Sequence, residues 1–233
     1  MTARRPLPRA RVLVLALGLS ASLGACSSGG PTLFQHLGGV MKTAITGAPK
    51  APPAAPVTRA QLARIPYATI ALSKNGGPKA FLVPLVDNGG YLNYRDTSGA
   101  AVIMLGGAVS GTQSLGYDLR SVRFDRRDPI AHPTPLADWP DHVHRQYRYA
   151  LRDLGDYSIT LDCVFMPVAR ETIEIVELRY NVMRVSEDCT DARRQVTNTY
   201  WVDPDTGFVW KSRQWLGPEI GQVTLEIIRP YAG

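Results

Sequence analysis

Hydrophobic and polar positions change rhythm along the chain, and each change marks a different kind of segment. From Val12 to Leu23 the residues are apolar, broken only by Gly18, Ser20 and Ser22. From Gly47 to Val57 the chain is rich in Pro and Ala and has no period. After Tyr67 short apolar runs alternate with polar residues and are separated by turn clusters. The clearest run is Ile173 to Val185, where Val176, Leu178, Tyr180 and Val182 point one way and Glu177, Arg179 and Asn181 the other. A period of two puts successive side chains on opposite faces, so this pattern predicts a strand with one dry and one wet face.

The same reading predicts strands at Tyr67–Ser73, Ala80–Val86, Tyr91–Arg95, Ala100–Leu105, Gln146–Leu151, Tyr157–Phe165, Val196–Val202, Phe208–Leu216 and Gln222–Arg229. Lys74-Asn75-Gly76-Gly77-Pro78, Asn88-Gly89-Gly90, Asp96-Thr97-Ser98-Gly99 and Asp203-Pro204-Asp205-Thr206-Gly207 supply the turns. Gly106, Gly107 and Gly111 interrupt the pattern, and Asp125 to His144, with four prolines, reads as the longest loop. Thr58-Arg59-Ala60-Gln61 fits a capping box, opening a short helix that must end before Pro66. About nine or ten strands with almost no helix predict an all-β, antiparallel fold, either a barrel or a strongly curved half-barrel sheet. Closure removes exposed strand edges.

The amino terminus has another purpose. Arg4, Arg5, Arg9 and Arg11 precede the apolar run, and Leu23-Gly24-Ala25-Cys26 follows it. That order predicts a secretory signal peptide over residues 1–25, too short to span a bilayer stably. The last four residues resemble a bacterial lipobox, in which the cysteine thiol takes a diacylglycerol and the freed amino group is acylated. Each buried methylene contributes roughly 0.8 kcal/mol, so palmitate-length chains on Cys26 anchor the protein to a membrane durably. Residues 26–57 then read as a tether, its Pro/Ala part reaching roughly 30 Å. Leu33 to Ile45 is a weak helical segment, with Gly38-Gly39 inside it. Residues 58–233 form the folded domain. Ser27, where inner-membrane lipoproteins carry Asp, points by the same resemblance to the outer membrane of a Gram-negative bacterium, with the domain facing the periplasm.

Charge changes the picture once the signal is set aside. The whole chain carries 26 basic and 20 acidic residues, but four of the basic ones lie before Cys26. The remaining 22 against 20 give a net of +2, no electrostatic case for nucleic acid. With Cys26 lipidated, Cys163 and Cys189 remain, and an even remainder in an oxidising compartment suggests a disulfide rather than two buried thiols.

The chain carries no recognisable catalytic signature. There is no Gly-x-Ser-x-Gly, Ser-x-x-Lys, Walker loop or dinucleotide fingerprint. Asp118, Asp125 and Asp128 are undistinguished as paired carboxylates. His142-x-His144 on a strand would present both rings on one face, near His132, Asp138 and Asp141. Without a fixed third ligand the reading is a polar, solvated loop, with no metal site and no cofactor. The aromatic residues are more suggestive. Tyr200, Trp201, Trp210 and Trp215 crowd one hairpin beside Lys211 and Arg213, and these six are the candidate ligand-binding residues. Phe208 and Trp210 are expected on one face, with Val209, Lys211, Arg213 and Trp215 on the other. One aromatic set belongs to the core; the other can stack on sugar rings or line a groove for an acyl chain.

The stretch Asn198 to Gln214, with Ile65-Pro66-Tyr67-Ala68 and Ser114-Leu115-Gly116-Tyr117-Asp118-Leu119, resembles the YjbF/GfcB-like lipoproteins that accompany exopolysaccharide and group 4 capsule production. Ala108 and Tyr94-Arg95 depart from that family's pattern. The resemblance implies a non-enzymatic, mostly β lipoprotein that assists polysaccharide assembly or secretion by binding the polymer or an export-machinery protein. Two alternatives remain open at this point. One is a lipid- or lipoprotein-binding carrier with an apolar concave sheet. The other is a polysaccharide-trimming hydrolase.

Overall fold

The computed structural model describes residues 57–151 and 155–232. The predicted signal peptide, Cys26 and the predicted tether before Val57 lie outside the described residues. The domain opens on the capped helix α1 (Arg59–Ala63), where Thr58 Oγ1 accepts from Gln61 N and Gln61 Oε1 from Thr58 N. Twelve strands follow: β1 (Thr69–Lys74), β2 (Lys79–Asn88), β3 (Tyr91–Arg95), β4 (Ala101–Leu105), β5 (Ala108–Gln113), β6 (Leu119–Phe124), β7 (His142–Leu151), β8 (Gly155–Ile175), β9 (Leu178–Thr190), β10 (Gln195–Val202), β11 (Val209–Trp215) and β12 (Gln222–Arg229). Among the described residues no helix is long and apolar enough to cross a membrane.

All strands join one antiparallel sheet in the order β5-β4-β3-β2-β1-β12-β11-β10-β9-β8-β7-β6. The pairing of β1 with β12 welds two meanders together and leaves β5 and β6 as the edges. Where those edges approach, Leu119 N donates to Thr112 Oγ1 at 2.9 Å, and that hydroxyl donates to Asp118 Oδ1 at 3.0 Å. The sheet is thus a nearly closed barrel.

The strand count exceeds the expected nine or ten because β5 and β6 were not among the predicted strands, and two predicted boundaries also moved. β5 was hidden by Gly106, Gly107 and Gly111. β7 starts inside the predicted loop. The run Ile173–Val185, read as one strand, is a hairpin: β8 ends at Ile175 and β9 begins at Leu178, across a two-residue turn with φ of 45° at Val176 and 66° at Glu177. Alternation continues through a two-residue turn, so polarity alone does not reveal it.

Inward positions fill the barrel: Ile70, Leu72, Leu82, Val102, Val143, Tyr147, Leu161 and Leu225 are buried in one cluster. A second buried cluster comes from the predicted loop. Ile130 and Ala131 pack with Val185, Tyr200, Val202 and Val209. The segment between β6 and β7 is therefore a plug. Gly107 N donates to Ile130 O at 2.8 Å, and Leu136 N donates to Pro204 O at 3.0 Å. Gly207, at φ +74°, lies so close that a Cβ would come within 2.0 Å of Thr134 O. A third cluster sits outside, where Leu62 and Ile65 cover Ala71, Ile228 and Ile175 of the β8–β9 tip.

Candidate functional site

Strand β7 places Arg145 on its inward face between Val143 and Tyr147. The guanidinium is 2% exposed, and carboxylates buried at 0% hold it from two sides. Its Nε and Nη2 donate to Asp128 Oδ2 and Oδ1 at 2.6 and 3.0 Å. Nη1 donates to Glu187 Oε2 at 2.8 Å and to Tyr200 OH at 3.2 Å. Tyr200 OH and Asn198 Nδ2 also donate to Glu187 Oε2, at 2.9 and 2.7 Å. Asp128 Oδ1 accepts Ile130 N and Ala131 N at 3.0 and 3.2 Å, so the same carboxylate shapes the plug.

Two carboxylates around one guanidinium leave an excess negative charge in a water-poor interior. Burial pushes the Glu187 carboxyl up, against the pull of Arg145. Burial alone would lower the Arg145 guanidinium, but Asp128 and Glu187 reverse this and hold it well above its ordinary value. The Tyr147 hydroxyl is pushed up to about 12, chiefly by burial. The disulfide Cys163–Cys189 adjoins the cluster as a directly opposed pair on β8 and β9. Four of the Arg145 hydrogen bonds are spent on internal partners, so the cluster fixes the plug rather than offering groups to a ligand. Sequence reasoning passed over Arg145, although an arginine in the inward register of a Val-x-Arg-x-Tyr alternation is itself the signal.

The hairpin residues scatter to both sides of the sheet. Tyr200 is fully buried at Arg145. Trp215 lies edge-on to Tyr147, with centroids 5.8 Å apart. Trp210 stacks on Tyr180 at 3.8 Å. Trp201 faces outward, where its Nε1 donates to Glu171 and Lys211 Nζ lies 5.1 Å from its ring centroid. Arg213 is exposed on the same outer face. The expected split of faces is corrected by a bulge: Val202 pairs with Val209 but Trp201 with Lys211, which leaves Trp210 without a partner position. Val209 therefore points inward while Lys211 and Arg213 point outward.

On that outer face Arg184 Nε donates to Glu171 Oε2 at 3.3 Å, and Lys211 lies 3.3 Å from Glu226. A groove of about 590 Å³ nearby is lined by Arg170, Glu171, Thr172, Asn181, Asp203 and Asp205. A second groove, about 460 Å³, lies on β6–β8 between Ser121, Arg123, Gln146, Arg148 and Ser158. His142 and His144 share an exposed face as expected, and His144 Nδ1 is bonded to Asp162. Asp125 Oδ2 accepts from His144 N at 2.7 Å, and Asp118 serves the β5–β6 seam.

The class this defines is a plugged antiparallel barrel with a filled interior and polar grooves on its outer wall. The chain belongs to the family described as group 4 capsule polysaccharide lipoprotein gfcB, YjbF, whose model matches residues 38–228. It is 26% identical over 186 residues to the uncharacterized lipoprotein GfcB of Escherichia coli (strain K12), covering 73% of this chain and 79% of that one. It is 24% identical over 216 residues to the uncharacterized lipoprotein YjbF of the same organism, covering 89% and 92%. The crystal structure of the hypothetical lipoprotein YmcC from Escherichia coli (K12) shares the fold, with a TM-score of 0.66 at 22% identity over 88% of this chain and 100% of that one.

Proposed function

We propose that the protein is a lipid-anchored, periplasm-facing accessory of capsule or exopolysaccharide assembly at the outer membrane. It acts by binding the polysaccharide or an export-machinery protein, and performs no chemistry on the polymer. Lipidation at Cys26 supplies the anchor and residues 26–57 the reach. The observation that carries the binding reading is the filled barrel. Interior positions are taken by Arg145, Tyr147, Tyr200 and the plug, so binding falls to the outer wall. An acyl-chain carrier needs an apolar hollow where these side chains stand. A hydrolase needs two carboxylates across an open cleft, whereas Asp128 and Glu187 are enclosed and bound to Arg145.

The test is a deletion of the gene with surface polysaccharide and outer-membrane lipid composition measured together. The expected outcome is less surface polymer and unchanged lipids, restored by the wild-type chain and not by Cys26→Ser. Altered lipid composition with normal polymer would favour the carrier instead.

A further inference from the structure

The geometry points to a second copy of this chain as the partner of the free edge of β8. The inference goes beyond the accessory reading and does not depend on it. β7 pairs with β8 only as far as His142 opposite Val164, whereas β9 follows β8 to Ile175 opposite Leu178. Residues 165–175 therefore have a strand on one side alone. Among the described residues no hydrogen bond from outside the hairpin reaches the main chain of Arg170, Thr172 or Glu174. The first half of this edge is blunted by Pro167, which has no N–H, and by the bulge between Pro167 and Ala169. Beyond the bulge the ladder is regular. The two-residue turn fixes which groups the edge presents. Ile175 and Leu178 close that turn, and a closing pair exchanges both of its hydrogen bonds. Alternation then turns the N–H and C=O of Glu174, Thr172 and Arg170 away from β9. The same three side chains are exposed, on the face opposite Ile173 and Ile175, which the third cluster holds against Ala71 and Ile228.

An edge with opposite charges two residues either side of one threonine is complementary to itself. A two-fold axis at Thr172 sets two copies antiparallel and pairs that residue with its counterpart, each N–H meeting the other's C=O. The same axis places Arg170 of each copy opposite Glu174 of the other. Sliding the copies by four residues puts Arg170 against Arg170 or Glu174 against Glu174, and slides of two leave both charges opposite uncharged residues. Glu174 also faces Arg179 of its own hairpin at 3.7 Å, but both are exposed, so that contact is weak and leaves a carboxylate oxygen for the second copy. Other occupants fit less well. The chain enters near the hairpin tip, since Val57 packs on the third cluster. Ala51-Pro52-Pro53-Ala54-Ala55-Pro56, just before it, has three prolines and lacks the row of donors a strand needs. Asp203 and Asp205 stand on the β9 side, because β10 pairs with β9 as far as Val202 opposite Met183.

The test uses the full chain, expressed in a Gram-negative host and oxidised in isolated membranes. Directly opposed residues of a hydrogen-bonded antiparallel pair have Cα atoms about 5.5 Å apart, within reach of a disulfide. Thr172→Cys is expected to give a disulfide-linked dimer of twice the chain mass. Arg170→Cys and Glu174→Cys are each expected to give little alone and a dimer when co-expressed. Arg123→Cys, exposed on β6, sets the level of random collision. Adding Arg170→Glu to the Thr172→Cys chain is expected to weaken the association about tenfold, and adding Glu174→Arg as well to restore it. A benzophenone side chain at position 172 reports the other occupants. An adduct to a second copy supports the inference; an adduct to the same chain before Val57, or to a different protein, overturns it. It is overturned equally by a Thr172→Cys yield no higher than that of Arg123→Cys, or by a charge reversal that the swap does not rescue.

Discussion

Glu187 carries the sharpest chemical consequence at the scale of single residues. Its carboxyl titrates above its ordinary 4.5 in the folded protein because burial disfavours the charged form. The folded state therefore binds the proton more tightly than the unfolded chain. By linkage, this stabilisation is full below the unfolded value and is lost as pH rises through the raised folded one. Glu187→Gln, which removes the titration and keeps a carbonyl acceptor, is expected to flatten that decline. Urea unfolding measured from pH 4 upward checks it, and an unchanged slope would place the proton elsewhere. Gly207 offers a steric counterpart. Gly207→Ala combines φ +74° with a 2.0 Å approach to Thr134 O, so a loss of at least about 2 kcal/mol is expected in denaturant unfolding. The sequence marked Gly207 as a turn residue, which it is, but could not reveal that the plug lies against it.

At the scale of elements, the β8–β9 hairpin depends on a helix distant in sequence. Val176 and Glu177 occupy left-handed backbone without being glycine, an arrangement that needs outside support. Arg59 supplies it: Nε, Nη2 and Nη1 donate to Val176 O, Ile175 O and Ile228 O at 3.3, 3.2 and 3.0 Å. Glu177 Oε2 in turn accepts from Arg59 N at 3.1 Å. Arg59→Ala is expected to cost about 1–3 kcal/mol and to speed hydrogen exchange at the tip ahead of the barrel strands. Helix α1 was legible because its capping box is contained in four residues. The hairpin was not, because its turn residues, Val176 and Glu177, are not the ones such turns usually employ. On β11 the bulge at Trp210 undid the expected faces for the same kind of reason. Strict alternation holds only while the ladder keeps its register.

At the scale of the whole molecule, a side-chain bridge joins β5 to β6 where the barrel closes. Leu119 N has Thr112 Oγ1 as its acceptor where a neighbouring strand would otherwise offer a carbonyl. Thr112→Val keeps the shape and removes that acceptor. The expected result is a loss of about 1–3 kcal/mol with faster exchange of the Leu119 amide. The closed wall also decides where binding can occur, because a barrel filled from within presents only its outside.

What the sequence determined by itself were the local and periodic features. They include the all-β antiparallel class, most strand positions, the capped helix, the even pair of cysteines that suggested a disulfide, and the family. Each depends on residues that are neighbours in the chain or on arithmetic over the whole of it. Tertiary structure alone decided the plug, the burial of Arg145 between Asp128 and Glu187, the side of the sheet taken by each hairpin aromatic, and the gathering of Arg123 and Arg148 into one groove. These depend on pairing register and barrel closure, set by many weak long-range contacts acting together. A polar residue carries the same letter whether it faces solvent or a buried partner, so only the folded chain distinguishes the two.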